Sequence, residues 1–272
     1  MKPLLHPLAL IATLLITPLA ALAEDLSDVV SAKLLPGWRS ADGTHMAGLE
    51  ITLAPGWKTY WRAPGDAGIP PQFDWRASQN LAGAEIRWPV PNRVDQDGMI
   101  SIGYSGTVVL PLRLTPSRAG RDITLSGQIS MGVCEDVCIP VDLTLSATLP
   151  KDGTARDPRI AAALANRPDT QKEAGVTGVS CAISAGSDGA LKLSAQMRLG
   201  DTGRDEMVVV ETDNPKVWVA PTTSARNGNT LTAETELMHV EGSSFALNRQ
   251  GIRITVLGGS KMVDIKGCPA GG

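Results

Sequence analysis

Apolar and polar residues alternate with a period of two along much of the chain. Residues 123–131, 141–149 and 108–114 each carry apolar side chains at nearly every second position. This period predicts strands that have one face in water. Pro111 falls inside the third run and indicates an edge strand or a bulge. Shorter runs predict four further strands, at residues 47–53, 58–61, 85–88 and 100–104.

A second strand-rich block follows residue 175. Alternation at residues 191–199 and 252–256 again predicts strands, and denser apolar runs at 207–210 and 217–219 are typical of central strands. The chain is also rich in turn formers, with 28 Gly and 19 Pro. Short strands joined by frequent turns predict an all-β protein, an immunoglobulin-like β-sandwich followed by a second β-sandwich-like domain.

Helix and breaker signals separate the two blocks. Residues 150–153 read PKDG, and Asp157 followed by Pro158 predicts an N-cap with Pro in the first helical position. A short helix would then run through Ala165 and stop before Pro168. We therefore expect three parts after the N-terminus: a first β-domain at 24–150, a connector with a short helix at 151–174, and a second β-domain at 175–272.

The N-terminal 23 residues differ from everything that follows. Lys2 precedes an apolar run from residue 8 to 22, and residues 21–23 form an A-x-A cleavage site. The run is short for a membrane span of about 20 residues. We expect a secretory signal peptide at 1–23, a periplasmic location, and a mature protein that does not span the membrane.

The charge balance argues against one class of function. The chain has 25 Lys and Arg against 28 Asp and Glu, a formal net charge of −3, and no cluster of basic residues. A protein that binds nucleic acid through its phosphates needs a basic surface, so no nucleic-acid partner is expected. Three His residues are too few for a His-rich metal site.

Four cysteines lie beyond the predicted signal peptide, and in an exported protein they are expected to pair. Closing a loop of about five residues, as between Cys134 and Cys138, stabilises a fold by only ~2 kcal/mol. Closing about 88 residues, as between Cys181 and Cys268, gives ~4.5 kcal/mol. We therefore predict that Cys181 and Cys268 form a structural disulfide between the first and last strands of the second domain.

The short pair needs another explanation. Cys134 and Cys138 lie in the connection between two predicted strands, where the sulfurs can meet and be reached by another protein. Exposed, tightly spaced disulfides tend to be labile and catalytic. The spacing alone leaves two alternatives open. The pair could be a structural bridge in a non-redox adaptor, or its thiolates could bind Cu(I) together with Met131 or Met99.

Four motifs resemble one family when taken in order. They are residues 56–68 (GWKTYWRAPGDAG), 86–91 (IRWPVP), 103–106 (GYSG) and 133–140 (VCEDVCIP). Together they resemble the N-terminal periplasmic domain of the DsbD/ScsB thiol:disulfide interchange proteins, over roughly residues 30–150. Residues 175–272 are similar to the second β-domain of the longer ScsB-like members.

The resemblance implies a redox role for the short pair. Cys134 and Cys138 would cycle between dithiol and disulfide, with Cys138 attacked by the partner and Cys134 resolving. No metal and no organic cofactor would be needed. A cap loop would shield the sulfurs from about residue 92 to 99, and the Trp, Tyr and Asp residues of the 56–68 motif would be structural.

The resemblance also implies partners. Electrons would come from a thioredoxin-like donor fed by a membrane segment and would pass to exported client proteins that contain disulfides. The sequence has neither a CxxC motif nor a second long apolar run. We therefore expect an exchange module, a thiol-disulfide oxidoreductase that depends on a separate electron donor.

Overall fold

The alternating runs form strands that pair into four sheets, two in each half of the chain. The structure is a computed structural model that describes residues 26–66, 68–96 and 98–271. The predicted signal peptide lies outside these residues. The predicted all-β, immunoglobulin-like sandwich is confirmed.

The first sandwich begins after a single helical turn, α1 (Leu26–Val29). Its strands are β1 (Val30–Arg39), β2 (His45–Leu53), β3 (Lys58–Gly65), β4 (Gln72–Asp74), β5 (Leu81–Ile86), β6 (Asn92–Gln96), β7 (Met99–Ser105), β8 (Thr107–Pro116), β9 (Ile123–Cys134) and β10 (Cys138–Leu149). Sheet I has the order β1-β2-β8-β5. Sheet II has the order β10-β9-β3-β7-β6, with β4 also paired to β9.

The two sheets enclose one apolar core. The period-two residues of β8 and β9 face inward, as the sequence predicts, and Leu112, Leu125 and Ile129 are fully buried. Trp61 of β3 lies in the same core with no exposed surface. Burial of these side chains supplies most of the driving force for the first sandwich.

The predicted connector helix is present as α2 (Pro158–Ala165), with the predicted bounds. The Asp157 carboxylate caps it by accepting a hydrogen bond of 2.9 Å from the Arg159 backbone N–H. Ile160 is fully buried against the outside of sheet I, where it contacts the position of Gly48. The helix is thus anchored to the first sandwich.

The second sandwich contains nine strands and one 3₁₀ turn within the described residues. They are β11 (Asp169–Thr170), β12 (Gly178–Ala185), β13 (Leu191–Arg198), β14 (Met207–Glu211), β15 (Val217–Val219), β16 (Thr223–Asn227), β17 (Thr230–His239), the turn Arg249–Gly251, β18 (Arg253–Leu257) and β19 (Met262–Lys266). Sheet III has the order β11-β19-β18-β14. Sheet IV has the order β12-β13-β17-β15, with β16 also paired to β17.

Two strand positions differ from the sequence prediction. The runs at 207–210 and 217–219 form β14 and β15, which lie at the ends of their sheets rather than in the centre. In β14 the reason is packing on both faces. Val208 and Val210 point into the second core, whereas Met207 and Val209 contact the core of the first sandwich.

Pro111 does not mark an edge strand, because β8 lies between β2 and β5. Its carbonyl accepts a hydrogen bond from the Arg87 backbone N–H at 2.8 Å, just beyond the end of β5. The N–H and C=O of a strand residue point to the same side. At position 111 an N–H would therefore point to the side on which β5 has already ended.

No helix in the described part of the chain combines the length and the apolar character needed to cross a lipid bilayer.

Candidate functional site

A long hairpin of β9 and β10 brings Cys134 and Cys138 together. Its ladder runs without interruption from the pair Ile123 and Leu149 to the pair Cys134 and Cys138. The two cysteines are therefore the last residues in register before the tip. They form a disulfide with a Cα–Cα distance of 4.1 Å, and the turn 135–137 closes the hairpin.

The two cysteines differ sharply in exposure. Cys134 is 2% exposed, whereas Cys138 is exposed together with the whole turn before it. Val137, next to Cys138, is 72% exposed and presents an apolar surface beside the sulfur. An external thiolate can therefore reach the Cys138 side of the bond far more easily than the Cys134 side.

Tyr60 contacts both sulfurs. Its hydroxyl donates a hydrogen bond to Cys134 Sγ at 3.1 Å and lies 3.5 Å from Cys138 Sγ. Burial raises the pKa of Tyr60, so the hydroxyl stays protonated and able to donate at neutral pH. It can stabilise negative charge on the Cys134 sulfur when the disulfide opens.

Sequence reasoning missed this residue, because it assigned the Tyr of the 56–68 motif to structure. The signal depends on strand order. Lys58 lies opposite Cys134 in the ladder of β3 and β9, so Tyr60, two residues on, shares its face of sheet II. Only the knowledge that β3 lies beside β9 connects the motif to the cysteines.

Two glycines of the same motif allow the chain to approach the site closely. A Cβ on Gly68 would lie 2.6 Å from Cδ1 of Tyr60 and 2.3 Å from Cβ of Pro64. A Cβ on Gly56 would lie 2.1 Å from Oε1 of Glu135 in the hairpin turn, and Gly56 also has a φ of +87°. Both positions exclude larger side chains, which accounts for glycine within the motif.

The described residues of the segment expected to act as a cap lie in β6 and at the start of β7, and these two strands pair as a hairpin. β7 pairs with β3, so this hairpin lies on the far side of β3 from the cysteines. Asn92 and Val94 line a small cavity together with Tyr60. Tyr104, at the end of this hairpin, is buried and donates a hydrogen bond of 2.8 Å to the Pro89 carbonyl.

The other cysteine pair lies inside the second sandwich. Cys181 in β12 and Cys268 after β19 form a disulfide, and both are at most 1% exposed. The bond connects β12 of sheet IV to the segment that directly follows β19 of sheet III. Arg249 donates a hydrogen bond of 2.9 Å to the Cys181 carbonyl. This disulfide is enclosed and far less accessible than the hairpin pair.

The two methionines considered as copper ligands lie in different surroundings. Met131 is 3% exposed and belongs to the apolar core, on the opposite strand face from Cys134. Met99 is 56% exposed at the start of β7. Within the described ranges, no three or more His, Cys, Asp or Glu side chains are grouped as a metal site.

An immunoglobulin-like sandwich that carries a half-exposed cysteine pair on a hairpin tip, with a hydroxyl donor at the buried sulfur, defines a thiol:disulfide interchange domain. The comparison with protein families agrees. Residues 31–150 match the family described as thiol:disulfide interchange protein DsbD, N-terminal, and this part of the chain belongs to that family.

A solved structure extends the likeness to both sandwiches. The N-terminal periplasmic domain of ScsB from Proteus mirabilis superposes with a TM-score of 0.64 at 24% sequence identity. The match covers 90% of this chain and 95% of that one, so it includes the second sandwich as well as the first. At this identity the likeness concerns the fold. Comparison with curated proteins gives no match.

Proposed function

We propose that this protein is a periplasmic thiol:disulfide exchange protein, which relays electrons from a membrane-linked, thioredoxin-like donor to exported client proteins. The observation that carries the proposal is the unequal exposure of Cys134 and Cys138 in one disulfide at a hairpin tip. The predicted signal peptide and the periplasmic origin of the similar ScsB domain support the location.

Reduction of the pair begins at the exposed sulfur. A thiolate of the donor attacks Cys138 Sγ, a donor–Cys138 disulfide forms, and the Cys134–Cys138 bond breaks with Cys134 leaving as a thiolate. Tyr60 donates its hydrogen bond to that leaving sulfur. The donor's second thiolate then attacks the donor sulfur of the mixed disulfide. The donor leaves as a disulfide, and both electrons remain on Cys134 and Cys138 as thiols or thiolates.

Transfer to the client reverses the order of bonds. The Cys138 thiolate attacks a client disulfide, forms a mixed disulfide with one client sulfur and releases the other as a thiolate. Cys134 then attacks Cys138 Sγ, which restores the Cys134–Cys138 bond and frees the second client thiolate. Two electrons have passed to the client, and each released thiolate takes a proton from water at neutral pH. All of the redox chemistry is carried by sulfur.

The reduction potential of the pair tests this proposal. The full chain without residues 1–23 is equilibrated in glutathione buffers and the thiols are then alkylated and counted. An exchange protein should have a potential above about −300 mV, within reach of thioredoxin-like donors. A lower potential would identify an inert structural disulfide and would support the non-redox adaptor instead. Cys181→Ser/Cys268→Ser is the matched variant that leaves only the hairpin pair to titrate.

A further inference from the structure

Sheet III is buried on both faces. Its inner residues, such as Ile254 and Val263, belong to the second core. The outer residues form cross-strand rows that face the first sandwich. The first row is Met207, Leu257 and Met262, and the next contains Val209, Thr255 and Asp264. The outer face is therefore an interface between the two sandwiches.

Arg62 of β3 extends from the first sandwich into this interface. Its Nε lies 3.1 and 3.2 Å from the two carboxylate oxygens of Glu211 in β14. Its Nη2 donates a hydrogen bond of 3.0 Å to Thr255 Oγ1 in β18 and lies 3.8 Å from Asp264 Oδ1 in β19. One side chain thus contacts three neighbouring strands of sheet III.

These contacts occur where little solvent is present. Thr255 is fully buried, and the Arg62 side chain is only 11% exposed. The guanidinium also lies 3.8 Å from the ring centroid of the buried Trp61. Shielded pairs of this kind hold their geometry better than surface ion pairs, which usually contribute little.

Arg62 belongs to a stretch of β3 that has left its ladder. Pairs with β7 run from Lys58 to Tyr60 and then resume only at Gly65, after a shift in register. Pairs with β9 involve Lys58 and Thr59 alone. Residues 61–64 therefore have no regular partner in either ladder, and within this stretch Arg62 makes polar side-chain contacts with the second sandwich.

This stretch begins directly after Tyr60, the residue that contacts both sulfurs. Two residues of a strand span only about 7 Å, so Arg62 lies a short length of backbone from Tyr60, the last residue paired with β7 before the register shift. We infer that Arg62 is a positioning residue, through which the second sandwich holds Tyr60 against the Cys134–Cys138 pair and so sets its redox reactivity. The inference rests on the proposed function and assigns a role in it to the second sandwich.

The direction of the effect follows from the chemistry of Tyr60. A hydroxyl donor stabilises a thiolate more than it stabilises a disulfide sulfur. A displaced Tyr60 therefore disfavours the reduced state and raises the pKa of the Cys134 thiol. An Arg62→Gln variant should show an equilibrium constant for reduction by glutathione that is about fivefold lower, which corresponds to the loss of one hydrogen bond. In a Cys138→Ser background, which leaves Cys134 as the one thiol of the hairpin, the midpoint of the pH profile for alkylation of Cys134 by iodoacetamide should rise.

Two further variants of the full two-sandwich protein complete the experiment. Thr255→Val is close to isosteric, removes the acceptor of Arg62 Nη2, and should shift both readouts in the same direction by a smaller factor. Leu257→Ala is the control. Leu257 belongs to the first row of the same interface and lies beside Val90 and Pro91, away from β3. The substitution should therefore lower the melting temperature and leave both redox readouts unchanged.

The outcomes show whether Arg62 positions Tyr60 or only stabilises the fold. Unchanged equilibrium constants and alkylation midpoints in Arg62→Gln and Thr255→Val would overturn the inference, as would an equal shift in Leu257→Ala. If circular dichroism shows that Arg62→Gln is unfolded, Thr255→Val decides alone. Neither readout uses a donor or a client protein. A failure of donor exchange would thus remove the proposed function without altering these measurements.

Discussion

Tyr60 contributes a single hydroxyl group to the site, and this group contacts both sulfurs of the hairpin disulfide. The oxygen reaches Cys134 Sγ at 3.1 Å, and burial keeps it protonated by raising its pKa. The leaving thiolate in the first half of the exchange is the sulfur that receives this hydrogen bond. The exposed sulfur of Cys138 remains open to attack, so the site separates the point of attack from the point of charge stabilisation.

The variant Tyr60→Phe tests this separation. Loss of one hydrogen bond to the leaving sulfur costs about 1 kcal/mol, so disulfide cleavage by dithiothreitol should slow by about fivefold. Stopped-flow reduction of the full chain measures the rate. Tyr104→Phe is the matched control, because its hydroxyl donates to the Pro89 carbonyl and contacts no sulfur in the described structure. It should lower stability but not the rate, and equal slowing in both variants would contradict the role of Tyr60.

At the scale of elements, helix α2 depends on one glycine of the sheet beneath it. A Cβ on Gly48 would lie 2.8 Å from Cγ1 of Ile160 and 3.2 Å from Cγ1 of Val109. Arg159 adds an ion pair of 2.9 Å to the buried Glu50 of β2. The missing side chain at residue 48 is therefore what lets the helix lie flat on sheet I.

We predict that Gly48→Val displaces α2 and lowers the free energy of unfolding by about 1–3 kcal/mol through overpacking. Urea unfolding measures the change. Gly83→Ala in β5 is the control, since a Cβ there has no heavy atom within 4 Å. It should change stability by less than about 0.5 kcal/mol. A Gly48→Val protein as stable as the control variant would show that α2 does not rest on this position.

The elements that the sequence predicted well are those whose pattern depends on local period alone. The strands containing residues 123–131 and 141–149 and the helix bounded by Asp157 and Ala165 are confirmed, because period and capping are local signals. The end positions of β14 and β15 were not predicted. The apolar run of β14 reflects burial of both its faces against partners far away in sequence, which no local pattern records.

The site was predictable to the same extent. Cysteine spacing in an exported chain indicates which pairs can form, but it does not show which sulfur is exposed. Tyr60 and Arg62 were missed because their roles depend on strand order and on the second sandwich. Short-range sequence patterns contain neither, although the resemblance of the 56–68 motif marked the segment in which both lie.

At the scale of the whole molecule, the two disulfides differ in what they contribute to stability. The Cys134–Cys138 bond has a sequence separation of 4, and the Cys181–Cys268 bond a separation of 87. The second bond restricts the unfolded chain much more and lies in a closed core, whereas the first is open at Cys138. The Cys181–Cys268 disulfide is thus expected to contribute more to stability, and the Cys134–Cys138 disulfide to be the more reactive one.

We predict that Cys181→Ser/Cys268→Ser loses about 4–5 kcal/mol of unfolding free energy, and Cys134→Ser/Cys138→Ser only about 2 kcal/mol. Chemical denaturation of each variant of the full chain, monitored by tryptophan fluorescence, measures the two losses. Equal losses would contradict this division between a structural and a reactive disulfide.

The proposed exchange with partner proteins takes place at Cys138, the exposed cysteine of the hairpin pair. The most direct measurement is to mix the oxidised full chain with a reduced thioredoxin-like donor that lacks its resolving cysteine, and to map the trapped mixed disulfide by mass spectrometry. We expect a cross-link from the donor to Cys138, with Cys134 left as a free thiol. A cross-link to Cys134, or no cross-link while Cys134–Cys138 stays closed, would contradict it.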